Sequence, residues 1–254
     1  MSEVTSELAG GVLTVTISRP DKKNALTNTM YGALADALEQ AEASDEIRVV
    51  VFQADGEIFS AGNDLGEFTA QSKNKGPAVR HVERFLRNII GARKPLIAAV
   101  QGKAVGVGTT MLLHCDMVLL ADDAQLITPF INLALVPEAG SSLLMTARIG
   151  HVRAFEMFAL GEPVVASDAL AWGIANRVVP RNELRAEARR MAQKLAEKPA
   201  GALTLAKGLM RNTDQVIEQM EREGKIFSAQ LRSDEAKEAF RAFAEKRKPD
   251  FSRV

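Results

Sequence analysis

The sequence predicts an α/β fold whose C-terminal part is helical. In the first half, short apolar runs of strand character alternate with segments of helical periodicity, the order expected of a sheet with helices packed on it. From Ser141 onward the pattern is helical, interrupted at Gly150, Gly161-Glu162-Pro163, Gly173, Pro180 and Pro199, and no strand of any length is predicted there. The 254 residues, 46% hydrophobic, suffice for a substantial core, which gives one main domain over residues 1–195 and a helical extension over 196–254.

Taken in order, Leu13, Val15 and Ile17 alternate with Thr14 and Thr16, a period-two strand closed by the turn Ser18-Arg19-Pro20-Asp21. Thr27 is placed to cap a helix whose Met30, Leu34, Ala37, Leu38 and Ala41 share a face. Ile47 to Phe52 reads as a buried strand. The polar stretch Gly66 to Gly76 is weakly periodic, whereas Val79, Val82, Phe85, Leu86, Ile89 and Ile90 mark a helix. Leu96 to Val100 is a further strand, Thr109 to His114 begins a helix, and Met117 to Leu120 is strand again. Helices follow at Glu183–Ala196, Ala202–Arg211, Asp214–Leu231 and Asp234–Lys246.

Lysine plus arginine and aspartate plus glutamate each total 32, so no extended basic surface for nucleic acid is expected, and one Trp and one Tyr leave few stacking platforms for single strands. The lone Cys115 has no disulfide partner, the first residues lack a signal-like core, and no stretch approaches the ~18 apolar residues of a membrane span. These features predict a soluble cytoplasmic protein. Three scattered histidines, His81, His114 and His151, have no metal-ligand spacing, so no metal is expected. Neighbours in sequence diverge in space, so His114 and Cys115 read as core residues rather than as a base and nucleophile.

Two segments carry chemistry. F-S-A-G-N-D-L at Phe59 to Leu65 and G-K-A-V-G-V-G-T-T at Gly102 to Thr110 each set small residues at the end of an apolar run. Either could be a plain turn. Both could also turn a backbone N–H toward a ligand, and two such amides on one carbonyl oxygen form an oxyanion hole for a thioester or enolate.

These segments stand in an ordered series: I-S-R-P-D-K-K-N-A-L at Ile17 to Leu26, K-P-L-I-A-A-V-Q-G-K-A-V-G-V-G at Lys94 to Gly108, H-C-D at His114 to Asp116, P-E-A-G-S-S at Pro137 to Ser142, A-W-G-I-A-N-R-V-V-P at Ala171 to Pro180 and F-A-E-K-R-K-P-D-F at Phe243 to Phe251. Over nearly its whole length the chain resembles the enoyl-CoA hydratase/isomerase (crotonase) family. The resemblance implies a crotonase-like spiral of ββα units with a C-terminal helical trimerisation region, a homotrimer or dimer of trimers, and an acyl-CoA thioester substrate. Coenzyme A is then part of the substrate and no separate cofactor is implied.

Carried over residue by residue, the oxyanion amides are those of Asn63 and Val107, with Val107 standing where the family usually has glycine. Lys22, Lys23, Ala25, Ser60, Ala61 and Gly62 match positions along the CoA path, and Phe243 and Lys246 match a terminal segment that closes on it. Each lysine is equally well read as a solvated charge. Asp64, Leu65, Gly106 and Phe130 border the substrate site, with Asp64 serving packing or a turn.

The two glutamates of a family hydratase fall at Thr110 and Phe130, so both are absent. Glu138 remains, in the position used by the Δ3,Δ2-enoyl-CoA isomerase branch. Without that context it reads as an acid favoured by a helix N-terminus. With it, Glu138 is the single base needed to move a proton from C2 to C4. The resemblance thus implies a 3-enoyl-CoA to trans-2-enoyl-CoA isomerase of fatty-acid β-oxidation, or one acting on a ring acyl-CoA. The alternatives are a 2-enoyl-CoA hydratase and a non-catalytic acyl-CoA-binding relative.

Overall fold

A computed structural model describes residues 2–72 and 76–253. The chain opens with β1 (Val4–Ala9) and β2 (Val12–Ile17), an antiparallel pair joined at Gly10-Gly11. Then follow α1 (Asn28–Ala43), β3 (Val49–Ala54), α2 (Leu65–Ser72), α3 (His81–Gly91), β4 (Leu96–Val100) and β5 (Lys103–Val105). Next come the single turn α4 (Val107–Thr110), β6 (Met117–Ala121) and β7 (Gln125–Ile127). Beyond these lie α5 (Ser141–Ile149), α6 (His151–Leu160), β8 (Val164–Val165), α7 (Ala166–Ala171) and β9 (Arg177–Val179). The end of the chain is helical: α8 (Leu184–Ala196), α9 (Ala200–Met210), α10 (Thr213–Gln230) and α11 (Asp234–Ala244).

Among the described residues the strands form two sheets, one of six strands in the order β1-β2-β3-β4-β6-β9 and one of three in the order β5-β7-β8. Successive turns of the chain place β4, β6 and β9 in the first sheet and β5, β7 and β8 in the second. This is the spiral of ββα turns that the resemblance implied. From β2 to β9 the large sheet is parallel, and its central strands β3, β4 and β6 are largely apolar on both faces, as expected where both are covered. Leu13, Val15 and Ile17 with Val50 and Phe52 meet α1 and α3 through Leu34, Leu38, Phe85 and Ile89. On the opposite face Val49, Val51, Ile97 and Leu119 are covered by Leu184, Ala188, Met191 and Ala192 of α8. Thr27 caps α1, its hydroxyl accepting from the Met30 N–H at 3.3 Å.

Four local expectations need correction. β1 went unpredicted because Thr5, Ser6 and Glu7 lie exposed on an edge strand, where no apolar alternation is required. β9 lies in a region predicted to be strand-free. Only three residues long, it is too short to show a period, and it is set against β6 by the Asn176 carboxamide, which accepts from the Val118 N–H at 2.8 Å. The helix expected at Thr109 begins at Val107 and tightens into a 3₁₀ turn at Met111–His114. The weakly periodic stretch after Leu65 begins with α2, and its residues 73–75 lie outside the described residues. No described helix is long and apolar enough to cross a membrane.

Candidate active site

The two glycine segments are bound together by backbone. Ser60 bridges to Ala104 beside β5: its N–H donates to Lys103 C=O at 3.1 Å, and its C=O accepts from Val105 N–H at 2.9 Å. A Cβ on Gly62 would lie 2.8 Å from the Val105 carbonyl oxygen, at a φ of +86°, so only glycine fits this crossing. The Lys23–Leu26 segment runs along the other side. Ala61 N–H donates to Lys23 C=O at 2.9 Å, Leu26 N–H to Gly62 C=O at 2.7 Å and Asp64 N–H to Leu26 C=O at 3.0 Å. Buried Asn24 fixes that segment by donating to the Asp55 and Ile58 carbonyls at 2.8 and 2.7 Å.

This arrangement leaves two amides unused. Asn63 N–H falls between the paired N–H groups of Gly62 and Asp64, and Val107 N–H opens the first turn of α4; neither donates to another described residue. The left-handed backbone falls on Gly106, with φ +56°, and not on Val107, so a β-branched side chain is accommodated where the family usually has glycine. The Asn63 carboxamide is held separately, its Oδ1 accepting from the buried Tyr31 hydroxyl at 2.5 Å.

Asn63, Tyr31 and Glu138 line one cavity of about 450 Å³, enclosed between α1, α3 and α10, with Leu26, Val82, Leu86, Met220 and Phe227 as its apolar wall. Glu138 is only 9% exposed. Its Oε1 accepts a 2.5 Å bond from the hydroxyl of Thr110, one turn after Val107 on α4. Burial pushes its pKa up to about 7; the Thr110 bond works in the opposite direction, and the nearby Glu223 charge adds to the rise. Ala139, next in sequence, is left-handed with φ 62°, and its C=O accepts from His114 Nε2–H at 2.8 Å. His114 Nδ1 in turn accepts from Arg211 at 2.5 Å. Burial and that guanidinium hold the imidazole neutral, with its pKa lowered to about 3, while burial pushes the Cys115 thiol up to about 12. The pair is structural, as the sequence predicted.

Asp64 lines the cavity but is committed elsewhere. It accepts from Arg19 at 2.9 Å and from the Gly66 and Glu67 N–H groups at the start of α2. Burial favours its protonated form, but the Arg19 bond and the two N–H groups outweigh it and bring the pKa below the usual value. Ala25, Ser60, Ala61 and Gly62 adjoin the Asn63 loop, Gly106 precedes Val107, and Leu65 opens α2.

Other expected residues are not on the cavity wall within this chain: Ala25, Ser60, Ala61, Gly62, Leu65 and Gly106 do not line it, and neither does Val107, whose side chain is buried. Phe130 is buried in the core against Phe158, ring centroids 6.1 Å apart, immediately before the surface 3₁₀ turn Ile131–Leu133. Lys22 and Lys23 are exposed on the turn beside Ala61. Phe243, 61% exposed, and Lys246 lie at the end of α11, which packs on the Ile131–Leu133 turn. Sequence reasoning missed Tyr31, the Thr110–Glu138 bond and Glu223. Tyr31 occupies the buried face of α1 and carries a hydroxyl that needs a partner, the one signal available.

The enoyl-CoA hydratase/isomerase family profile matches residues 7–253. The chain is 32% identical over 259 residues to the 1,2-epoxyphenylacetyl-CoA isomerase of Escherichia coli, with 99% of each covered. It is 36% identical over 217 residues to enoyl-CoA delta isomerase 2 of Rattus norvegicus, a match spanning 83% of this chain and 54% of that relative. Relatives bearing hydratase names match at 31% and 32% identity. The crystal structure of an enoyl-CoA hydratase/isomerase from Pseudoalteromonas atlantica T6c superposes with a TM-score of 0.94 at 41% identity, covering 98% of this chain and 100% of that one. With the crotonase fold shared over nearly its whole length, the chain belongs to the enoyl-CoA hydratase/isomerase family.

Proposed function

We propose that the protein is a Δ3,Δ2-enoyl-CoA isomerase in which Glu138 is the one proton carrier. The observation that carries this reading is the state of the carboxylates around the cavity. Asp64 is tied to Arg19, Glu67 accepts from the Asn28 N–H at 2.8 Å, Glu83 pairs with Arg80 at 3.3 Å and Glu221 with Arg87 at 2.7 Å. Glu138 alone among these five is buried without a cationic partner and poised near neutrality, where a group both accepts and returns a proton efficiently.

The thioester oxygen of a 3-enoyl-CoA would sit on the N–H groups of Asn63 and Val107. Glu138 removes a proton from C2, the C2–H electrons pass into a dienolate, and the negative charge on oxygen is held by the two amides. The same carboxylic acid returns the proton to C4, leaving the double bond between C2 and C3. No cofactor takes part beyond the coenzyme A of the substrate, and fatty-acid β-oxidation is the setting we assign. Assembly as a homotrimer or a dimer of trimers is the accompanying reading, supported by apolar side chains left on the surface, among them Phe155 and Leu209.

Hydration of a 2-enoyl-CoA is the second reading, favoured by the relatives that bear hydratase names. It calls for a second acid–base group beside Glu138 to handle water, and the adjacent Thr110 hydroxyl is too weak an acid and base for that role. The deciding experiment assays the purified protein on 3-enoyl-CoA and 2-enoyl-CoA of matched length. Isomerisation is expected to exceed hydration; robust addition of water with no double-bond shift overturns the proposal, and binding without turnover favours a non-catalytic role.

A further inference from the structure

Glu223 is 4% exposed and belongs to α10, far along the chain from the base. Its carboxylate accepts from the Gly140 N–H at 2.5 Å, the Ser142 N–H at 2.9 Å and the Ser142 hydroxyl at 2.5 Å. One turn away on α10, Gln219 donates to the same hydroxyl at 2.8 Å. These bonds grip the first turn of α5 immediately after Glu138, where Ala139 and Gly140 are both left-handed and no local side chain caps the helix. A Cβ on Gly140 would meet Val216 Cγ1 at 2.9 Å, so α10 also fixes how close this turn can lie.

We propose that Glu223 is a positioning residue for Glu138: it clamps the base loop from the C-terminal helices and stands as a second buried carboxyl group beside the proton carrier. The proposal rests on Glu138 being the base. Capping alone would need no buried ion, because a serine or asparagine at the N-cap satisfies the same N–H groups without the cost of desolvating a carboxylate. Burial raises the pKa of Glu223, against the bonds from Ser142, Gly140 and Gln219 that favour its ionised form, and the ionised carboxylate acts on Glu138.

The other ionisable groups nearby leave Glu223 as the like charge that matters. Tyr31 of α1 is protonated, burial holding its hydroxyl well above the usual pKa, and Glu67 of α2 is engaged with the Asn28 N–H. Arg87 of α3 is paired with Glu221, Lys225 stands on the cavity rim, Arg148 of α5 donates to the Leu113 carbonyl, and His114 is neutral.

The test compares Glu223→Gln with the parent enzyme, using the pH profile of kcat/KM on 3-enoyl-CoA and a carboxyl-carbon NMR titration in which the Glu138 signal is assigned by its loss in Glu138→Gln. Removing the like charge is expected to move the acid limb and the Glu138 titration down by about 0.5–1 pH unit, with kcat falling about tenfold and KM little changed. An unmoved Glu138 titration in folded Glu223→Gln overturns the proposal. Should that variant not fold, Ser142→Ala carries the test, since it loosens the clamp and keeps the charge. A fall in kcat with the limb unmoved is then expected, and an unchanged kcat overturns the proposal. The NMR titration reads Glu223 even if the isomerase reading fails, whereas full turnover in Glu138→Gln rejects that reading by itself.

Discussion

The two halves of the proposed site are built by different means. The proposed oxyanion side is backbone: Ser60 pairs with Ala104, Gly62 lets two loops touch, and the groups left free are the N–H groups of Asn63 and Val107. The proposed base side is side chain: Thr110 of α4 donates to Glu138, His114 donates to the Ala139 carbonyl, and Glu223 of α10 accepts from the Gly140 N–H. Backbone placement is cheap and rigid, because the sheet bonds that form the fold also aim the amides. Side-chain placement adds a buried carboxylate, which costs stability and gives an adjustable pKa.

The largest expected effect tests that trade directly. Glu138→Gln should lower kcat by about 10²–10⁴ with little change in substrate affinity, the range typical of general acid–base catalysis. It should also stabilise the protein at alkaline pH. The folded pKa of about 7 lies above the ordinary carboxyl value of 4.5, so the protonated form is the one the fold favours; that stability is fully present below 4.5 and is lost as pH rises through 7. The Gln variant has no charge to desolvate. Its Tm should exceed that of the parent near pH ~8, by a margin worth on the order of 3 kcal/mol or less, and the difference should vanish near pH ~4. A variant that is inactive and also less stable at both pH values would contradict the account of the base side.

The oxyanion side should respond in the opposite way. Asn63→Pro deletes the donor and should cut the rate by about 10² or more, whereas Asn63→Ala keeps the N–H and should retain most activity. Circular dichroism of both variants is the control for folding. If alanine proved as damaging as proline, the carboxamide that accepts from Tyr31 would itself have to touch substrate.

The same contrast governs what the sequence revealed. The meeting of Phe59–Leu65 with Gly102–Thr110 was legible because a close backbone crossing leaves its mark locally, in small residues such as Gly62. Glu138 was legible only through the absence of carboxylates at positions 110 and 130. Its supports were not: Tyr31 and Glu223 sit on helices whose periodicity reports burial and not what a polar tip will meet. Phe130, Phe243 and Lys246 show the complementary limit, since a matching position in a motif does not by itself put a side chain on the cavity wall of this chain. The alternation of strands and helices was read from apolar runs, but the parallel order of the sheet was not, and β9 escaped because three residues held by the Asn176 carboxamide carry no period.

The smallest expected effect separates the two supports of the base. Thr110 donates to the ionised form of Glu138 and so lowers its pKa, while Glu223 raises it through charge. Thr110→Val keeps the shape and removes the donor. The acid limb of kcat/KM should therefore move to higher pH by about one unit, the size expected for a hydrogen bond to a charged group, while the rate on the high-pH plateau changes by less than about tenfold. Glu223→Gln moves the same limb the other way, so the double variant should return it close to the parent position if the two act independently on one carboxylate. A limb that ignores Thr110→Val would mean that the titrating group in turnover is not Glu138, whatever the loss seen on replacing it.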